Sequence, residues 1–393
     1  MLDPLYDPFD PAVLLDPYPA YRRLREESPV HHVASRNFYA LSRFEDVFEA
    51  AGDPSRFSSA EGLTFERDEI LKLGLAPTMV MMDRPEHTVY RRLVSRLFTP
   101  RAVADLEPAI RSFVRGRVRD MSEAGEADFI DLLAGALPTL VVATFLGVPE
   151  TDRRQFDAWS AAIVSAGVGG NAISTAADAV GGLYDYFGHL VARRRERPSD
   201  DLLSTLIAAR VDGEPLDLER ILGYCFVLIA GGNDTVTGLL GGGAVLLADH
   251  PEQRQLLIDT PARIPVAVDE LLRLTSPVQG LCRTTTVPVT LRGTTIPPGA
   301  KVHLLYGSAN RDHREFGPGA EELDVTRRSP RMMAFGGGPH HCIGAAVARL
   351  QARVALEELL GSAPSYTVDA TQGTMAPGPF VRRFTSLPIR ARG

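Results

Sequence analysis

Read for the spacing of its apolar residues, the chain is a succession of helices. Apolar positions recur at i, i+3 and i+4 through 87–98, 100–123, 129–146 and 150–164. That spacing lays a continuous apolar stripe along one helical face. Further helices are expected at 20–27, 43–51, 176–195, 201–210 and 265–274. The longest runs from an N-cap at Asp217 to His250, just before Pro251. At about 1.5 Å per residue it spans roughly 50 Å, enough to cross a whole domain. Alternating segments at 30–41, 281–291 and 294–305 predict short strands, with Arg292-Gly293 and Pro297-Pro298-Gly299 as turns. The stretch 58–82 has no period and reads as a long functional loop, 165–171 is a glycine-containing break, and 311–329 is irregular and polar. A glycine-rich loop at 335–344 leads directly into a helix at 345–360 that Gly361 ends, and the tail is strand-like. No internal repeat, low-complexity segment or linker interrupts the pattern. The expected fold class is mainly α with a minor β lobe, in one domain covering 1–393.

Composition narrows the function. The 393 residues are 45% hydrophobic and 23% charged, enough for a large core and too apolar for a disordered chain. A formal net charge of −7 gives nucleic-acid binding no global electrostatic support. The N-terminal residues carry no basic and apolar signal pattern, and no run of about 18 apolar residues appears, so neither a secretory signal nor a membrane span is expected. Cys225, Cys282 and Cys342 are odd in number and far apart. That excludes a disulfide framework and fits a reducing cytoplasm, where one cysteine in a special setting would be a chemical residue.

The setting of Cys342 is special. It lies in Phe335-Gly336-Gly337-Gly338-Pro339-His340-His341-Cys342-Ile343-Gly344. Glycines allow close approaches that a side chain would block, and N–H groups at a following helix N-terminus would stabilise a thiolate. Taken alone, the loop also reads as a turn with a free cysteine. A zinc site is disfavoured, because three consecutive residues rarely converge on one tetrahedral ion. Three further patterns stand out. Glu270 and Arg273 share one helical face. Gly231-Gly232-Asn233-Asp234-Thr235 places poor helix formers in the middle of the longest helix, as a functional groove or a helix-crossing point would. The later Gly241-Gly242-Gly243 reads as such a crossing. His87 and Arg91 are one turn apart at a helix start, as donors for a carboxylate or as a solvated face.

Together these segments resemble the cytochrome P450 superfamily. The cysteine loop is similar to that family's Phe-Gly-x-Gly-x-His-x-Cys-x-Gly signature, matched by Phe335, Gly336, Gly338, His340, Cys342 and Gly344. The resemblance runs from Pro17 to the tail, with all four motifs in the family's order, and is greatest to soluble actinobacterial members. It implies the cytochrome P450 fold, haem b as cofactor and Cys342 as the axial ligand to iron. It implies that His87, Arg91, Arg283 and His340 contact the haem propionates, and that Glu270 and Arg273 form a buried structural pair. It makes Asp234 and Thr235 the acid–alcohol pair that serves the two protons dioxygen needs to break its O–O bond. An arginine often completes the Glu270–Arg273 cluster. Glu322 stands at that place here, leaving Arg327 and Arg328 as substitutes.

The implied activity is monooxygenation of a small apolar organic substrate with O2, by hydroxylation or N- or O-dealkylation. No flavin, nicotinamide or iron–sulfur fingerprint is present, so electrons from NAD(P)H are expected through a ferredoxin reductase and a ferredoxin. Arg92, Arg96, Arg101, Arg349 and Arg353 are candidates for docking an acidic ferredoxin, or are ordinary solvated arginines. A monomer is expected. The alternatives are a peroxide-driven peroxygenase and a non-catalytic haem sensor, neither of which requires the Asp234–Thr235 pair. The substrate pocket is expected at 58–82, 158–185, Gly231, 278–281 and the loop near Phe380.

Overall fold

A computed structural model describes residues 5–67, 77–166 and 172–391. The expected break at 165–171 falls, from 167 on, outside the described residues, as does 68–76 of the long loop. The helices form the bulk, and their apolar faces share one core around Leu218–Asp249. This 32-residue helix is the axis of the molecule. Asp217 caps it, accepting from the Arg220 N–H at 2.7 Å.

The β lobe is a five-stranded sheet that gathers distant segments. Its strands run in the order Val30–Val33, Phe38–Leu41, Lys301–Leu304, Leu281–Thr285 and Phe57–Ser58. Phe38–Leu41 and Lys301–Leu304 are parallel, and the other neighbours are antiparallel. The lobe has its own apolar core, to which the Phe44–Gly52 helix contributes Phe44, Val47 and Ala51. Among the described residues, no helix is long and apolar enough to cross a membrane.

Several expected elements differ in instructive ways. The helix expected at 100–123 is two, Pro100–Ala104 and Glu107–Ala124. Pro108 lies in the first turn of the second, where a missing N–H costs nothing, whereas inside a continuous helix it would clash with the preceding turn. The stretch expected as a helix at 129–146 opens with a π turn, Ile130–Ala134, before Ala136–Phe145. Gly135 N–H donates to Ile130 O at 2.8 Å. Pro138 leaves the Ala134 carbonyl without its helical donor, and Thr237 of the long helix supplies one through Oγ1 at 3.1 Å. A helix at Pro251–Asp259 was not expected, because Pro251 reads as a stop. Proline is equally a start at the first helical position. Gly361 does not end its helix, which runs over Ala345–Ser362. Short helices Tyr306–Ala309 and His313–Phe316 flank or enter the region expected to be irregular.

Candidate functional site

Backbone bonds shape the cysteine loop. Cys342 N–H donates to Phe335 O and Gly336 N–H to Met333 O, each at 2.9 Å. Gly336 and Gly338 have φ of 67° and 60°, a region open to glycine without steric cost. A Cβ on Gly338 would sit 2.5 Å from Ala51 O, so any side chain would lift the loop off the Phe44–Gly52 helix. Phe335 is buried under the guanidinium of Arg349, 4.6 Å from its ring centroid. The Ala345–Ser362 helix starts just past Gly344, whose N–H faces the Cys342 sulfur. Cys342 is open on one side, yet the surrounding protein is dense enough that burial pushes its thiol up. The Gly344 N–H, Arg91 and Arg349 oppose that shift by favouring the thiolate.

A buried polar cluster anchors this loop. Glu270 and Arg273, both 0% exposed, sit one turn apart on Ile264–Thr275. They pair through two parallel bonds of 2.7 Å. Arg273 Nη1 also donates to the carbonyls of Asn310 and Ala320, at 2.6 and 2.5 Å. The Asn310 side chain accepts from the Met333 N–H at 2.7 Å, where the loop begins. Direct bonds thus run from the ion pair to the loop. Arg327 is the third member: its Nε donates to Glu270 Oε1 at 3.2 Å. Its terminal nitrogens hold the carbonyls of Phe316 and Gly319. Glu322 contributes only its carbonyl, 3.4 Å from Arg273 Nη2.

Cationic and donor groups from three further segments gather around His340, two residues before Cys342. His87 is buried on Glu86–Ser95, its ring 4.3 Å from that of His340. Neither ring nitrogen of His87 has a partner within the protein. His340 meets Ser59 Oγ through Nε2 at 3.2 Å. Burial, helped by Arg283, His87 and Arg91, pushes its ring down to about 3, so it stays neutral. Arg91 donates to His341 O at 2.6 Å. Arg283, buried on Leu281–Thr285, donates to Cys282 O at 2.8 Å.

This set fits a haem. A soft sulfur ligand stands alone, and two arginines and two histidines gather where two carboxylates would need donors. The orphaned buried nitrogens of His87 are the direct sign that a polar group belongs there. Among the described residues, no three or more His, Cys, Asp or Glu converge as they would on a metal ion.

The long helix passes through Gly231–Thr235 without a break. Gly232 is a packing site, since a Cβ there would lie 2.9 Å from Val142. Gly231 faces open space instead. Gly241 and Gly242 are helix-crossing positions, where a Cβ would approach Ile130 at 3.2 Å and Thr275 at 2.8 Å. Thr235 Oγ1 donates back to Gly231 O at 2.9 Å. Asp234 does not bond to Thr235; its carboxylate ion-pairs with Arg383 of the C-terminal hairpin. Burial pushes the Asp234 carboxyl up to about 6 despite the opposing pull of Arg383.

Sequence reasoning missed Arg383, Asn310 and Ser59. None belongs to a spaced motif, and each reaches the site through a long-range contact. Near the expected pocket, Gln279 N–H donates to Phe380 O at 2.7 Å, and the Phe65 and Phe380 rings lie 4.9 Å apart. Of the proposed docking arginines, Arg92, Arg96 and Arg101 are exposed. Arg349 pairs with Asp269 at 2.7 Å. Arg353 is bound into a network with Glu107 and Glu357.

A family model described as Cytochrome P450 matches residues 264–374, the stretch holding Glu270, Arg273 and the cysteine loop. "Cytochrome P450 130" of Mycobacterium tuberculosis is 51% identical over 384 residues, covering 95% of each chain. The "Vitamin D(3) 25-hydroxylase" of Pseudonocardia autotrophica is 36% identical over 395 residues, covering 98% of this chain and 96% of that one. Among solved structures, a Mycobacterium marinum cytochrome P450 in complex with pseudoionone superposes with a TM-score of 0.89 at 32% identity, covering 98% of each chain.

Proposed function

The chain belongs to the cytochrome P450 family of haem b monooxygenases, and from that premise we propose that it inserts one atom of O2 into a small apolar organic molecule. The reaction is hydroxylation or N- or O-dealkylation, with electrons from NAD(P)H carried by a ferredoxin reductase and a ferredoxin. The observation that carries this reading is the gathering of His87 and Arg91 from one helix and Arg283 from a strand around His340, in the loop that holds Cys342, with Arg91 also acting on the Cys342 sulfur. An apolar substrate is supported by the relatives named for vitamin D(3) hydroxylation and crystallised with pseudoionone.

Bound haem b supplies dioxygen activation and oxygen transfer. Cys342 would hold its iron. Phe335 and Gly344 set the loop that presents the sulfur. His87, Arg91, Arg283 and His340 would bind the propionates, and Glu270 with Arg273 keeps the loop in place. On the long helix, Asp234 would take up a proton from solvent at its carboxylate. Thr235 Oγ1 already donates to Gly231 O, so its lone pairs are left to orient a water or accept a proton donor. A carboxyl that titrates at about 6 lies near working pH, where it both takes and releases a proton readily.

The ferredoxin docks on the exposed Arg92, Arg96 and Arg101, whereas Arg349 is engaged by Asp269 and the Phe335 ring. Arg353 is left out of this surface, since its guanidinium is spent on Glu107 and Glu357. We infer one catalytic domain over 1–393, monomeric and cytoplasmic, a setting compatible with the buried thiols of Cys225 and Cys282.

The test starts with a ligand screen on the haem absorption band. A ligand that displaces iron-bound water is then turned over with ferredoxin, reductase, NAD(P)H and O2. Product formation is expected. Turnover with hydrogen peroxide alone would make the protein a peroxygenase, and no NAD(P)H consumption with any reductase or ligand would make it a sensor.

A further inference from the structure

Asp234 has a partner from outside its own helix. Arg383 lies on the C-terminal hairpin, between the strands Thr374–Met375 and Phe384–Ser386, and its Nε ion-pairs with Asp234 Oδ1. The two side chains are only 8% and 12% exposed. An exposed pair of this kind is worth little, but removing one member of a buried pair strands the other charge.

The hairpin is seated so that this contact is fixed. Arg382 N–H donates to Pro277 O at 2.8 Å, and Ala376 N–H donates to Arg383 O at 2.9 Å. Val381 forms a β-bridge with Val278. On the helix, Gly238 comes one turn after Asp234. A Cβ there would meet Arg382 O at 2.6 Å and Arg383 Cβ at 3.5 Å. The missing side chain of Gly238 therefore lets the hairpin backbone lie against the helix and bring Arg383 within reach of the carboxylate.

The π turn presents Ile130 to Gly241, the helix Ala136–Phe145 presents Val142 to Gly232, and Pro277 abuts Gly238. Among the described residues, Arg383 is the charged group acting on Asp234. Burial raises the carboxyl and the guanidinium lowers it.

We propose that Arg383 is a positioning residue for proton delivery, holding the Asp234 carboxylate in one orientation beside the long helix. This rests on the reading of Asp234 as the proton relay. Freed of the arginine, the carboxyl would stay protonated to higher pH and would turn among rotamers, losing the geometry a relay requires. The role needs both the charge of Arg383 and the close seat at Gly238.

The test uses the haem-loaded protein and two readouts. One is the pH at which the Asp234 carboxyl ionises, from infrared spectra of each form referenced to Asp234→Asn. The other is product formed per NAD(P)H consumed, with hydrogen peroxide release as its complement. Arg383→Gln is expected to move the ionisation to higher pH and to lower the coupling by about tenfold, within the range of a lost acid–base contribution. Arg383→Lys is expected to restore most of both. Gly238→Ala keeps the arginine but displaces the hairpin, so it should move both readouts in the same direction and serves where Arg383→Gln does not load haem. Wild-type values in the Gln and Ala variants, while Asp234→Asn uncouples, would overturn the role of Arg383 and leave the relay standing. Wild-type coupling in Asp234→Asn would overturn the relay itself, and this role with it.

Discussion

On the cysteine side of the site, Glu270, Arg273, Arg327 and Asn310 engage seven backbone groups through direct hydrogen bonds, the carbonyls of Asn310, Phe316, Gly319, Ala320 and Glu322 and the N–H groups of Asp324 and Met333. On the Asp234 side, among the described residues, Asp234 is held by one ion pair to a hairpin and Thr235 by one back-bond to Gly231. The first region resists movement because every displacement breaks several buried bonds at once. The second keeps donors and acceptors within reach of exchange. A sulfur that would hold iron is fixed through many bonds, whereas a carboxyl that would pass protons is oriented by its Arg383 partner.

The largest expected effect is on the cysteine side. Cys342→Ala should abolish the strongly red-shifted band of the reduced carbonyl adduct, and with it turnover. A variant that keeps that band would end the assignment of the sulfur.

Next come the buried bonds behind it. Glu270→Ala should cost about 3–5 kcal/mol, because it strands the Arg273 charge in a dry site. Arg327→Ala should cost less, about 1.5–3 kcal/mol, since Arg327 is partly exposed and Glu270 keeps its other partner. Urea midpoints of the haem-loaded variants order the two, and an equal or reversed order would show that Arg327 holds the cluster as firmly as Glu270 does.

Asp234→Asn should leave folding and the carbonyl spectrum intact while slowing coupled turnover by about 10²-fold. Stability adds a pH signature. The folded carboxyl ionises at about 6 against 3.8 ordinarily. Between those values the folded state still holds a proton that the unfolded chain has released, so this group's contribution falls as pH rises through the window. Thermal melts of wild type and Asp234→Asn should therefore diverge in favour of Asn across it, by at most about 3 kcal/mol. A pH-independent difference would show that the carboxyl is not raised.

The smallest effect is expected at the surface. Arg92→Glu with Arg96→Glu should raise the KM for ferredoxin by about tenfold at low salt, with the gap closing as salt increases. The paired Arg353→Glu should instead act mainly on stability, by breaking its contacts with Glu107 and Glu357. Ferredoxin kinetics insensitive to the first pair would move the docking face elsewhere.

Local patterns made much of this legible. The apolar period located most of the helices, and the Asp217 cap and the proline at 251 bounded the longest one within a residue. The loop around Cys342 was readable because glycines with positive φ, a following helix and a lone cysteine are adjacent in sequence. Prolines were read less well: Pro108 and Pro251 begin helices, and Pro138 sits beside a π turn whose orphaned carbonyl is satisfied by Thr237. Whether proline stops or starts a helix depends on which carbonyls have other donors, and that is a tertiary question.

By itself, the sequence determined the helical class, the strands at 30–41 and 281–304 and the glycine-rich turn around Cys342, because each depends on residues within a few turns of one another. Only the tertiary structure decided that Arg327, not Arg328, completes the Glu270 cluster, that Arg353 is spent on glutamates, and that Asp234 faces Arg383 rather than Thr235. These are choices among chemically equivalent side chains. They are made by which backbone comes close, as at Gly238, and a charge carries no mark in the sequence of the partner it will meet.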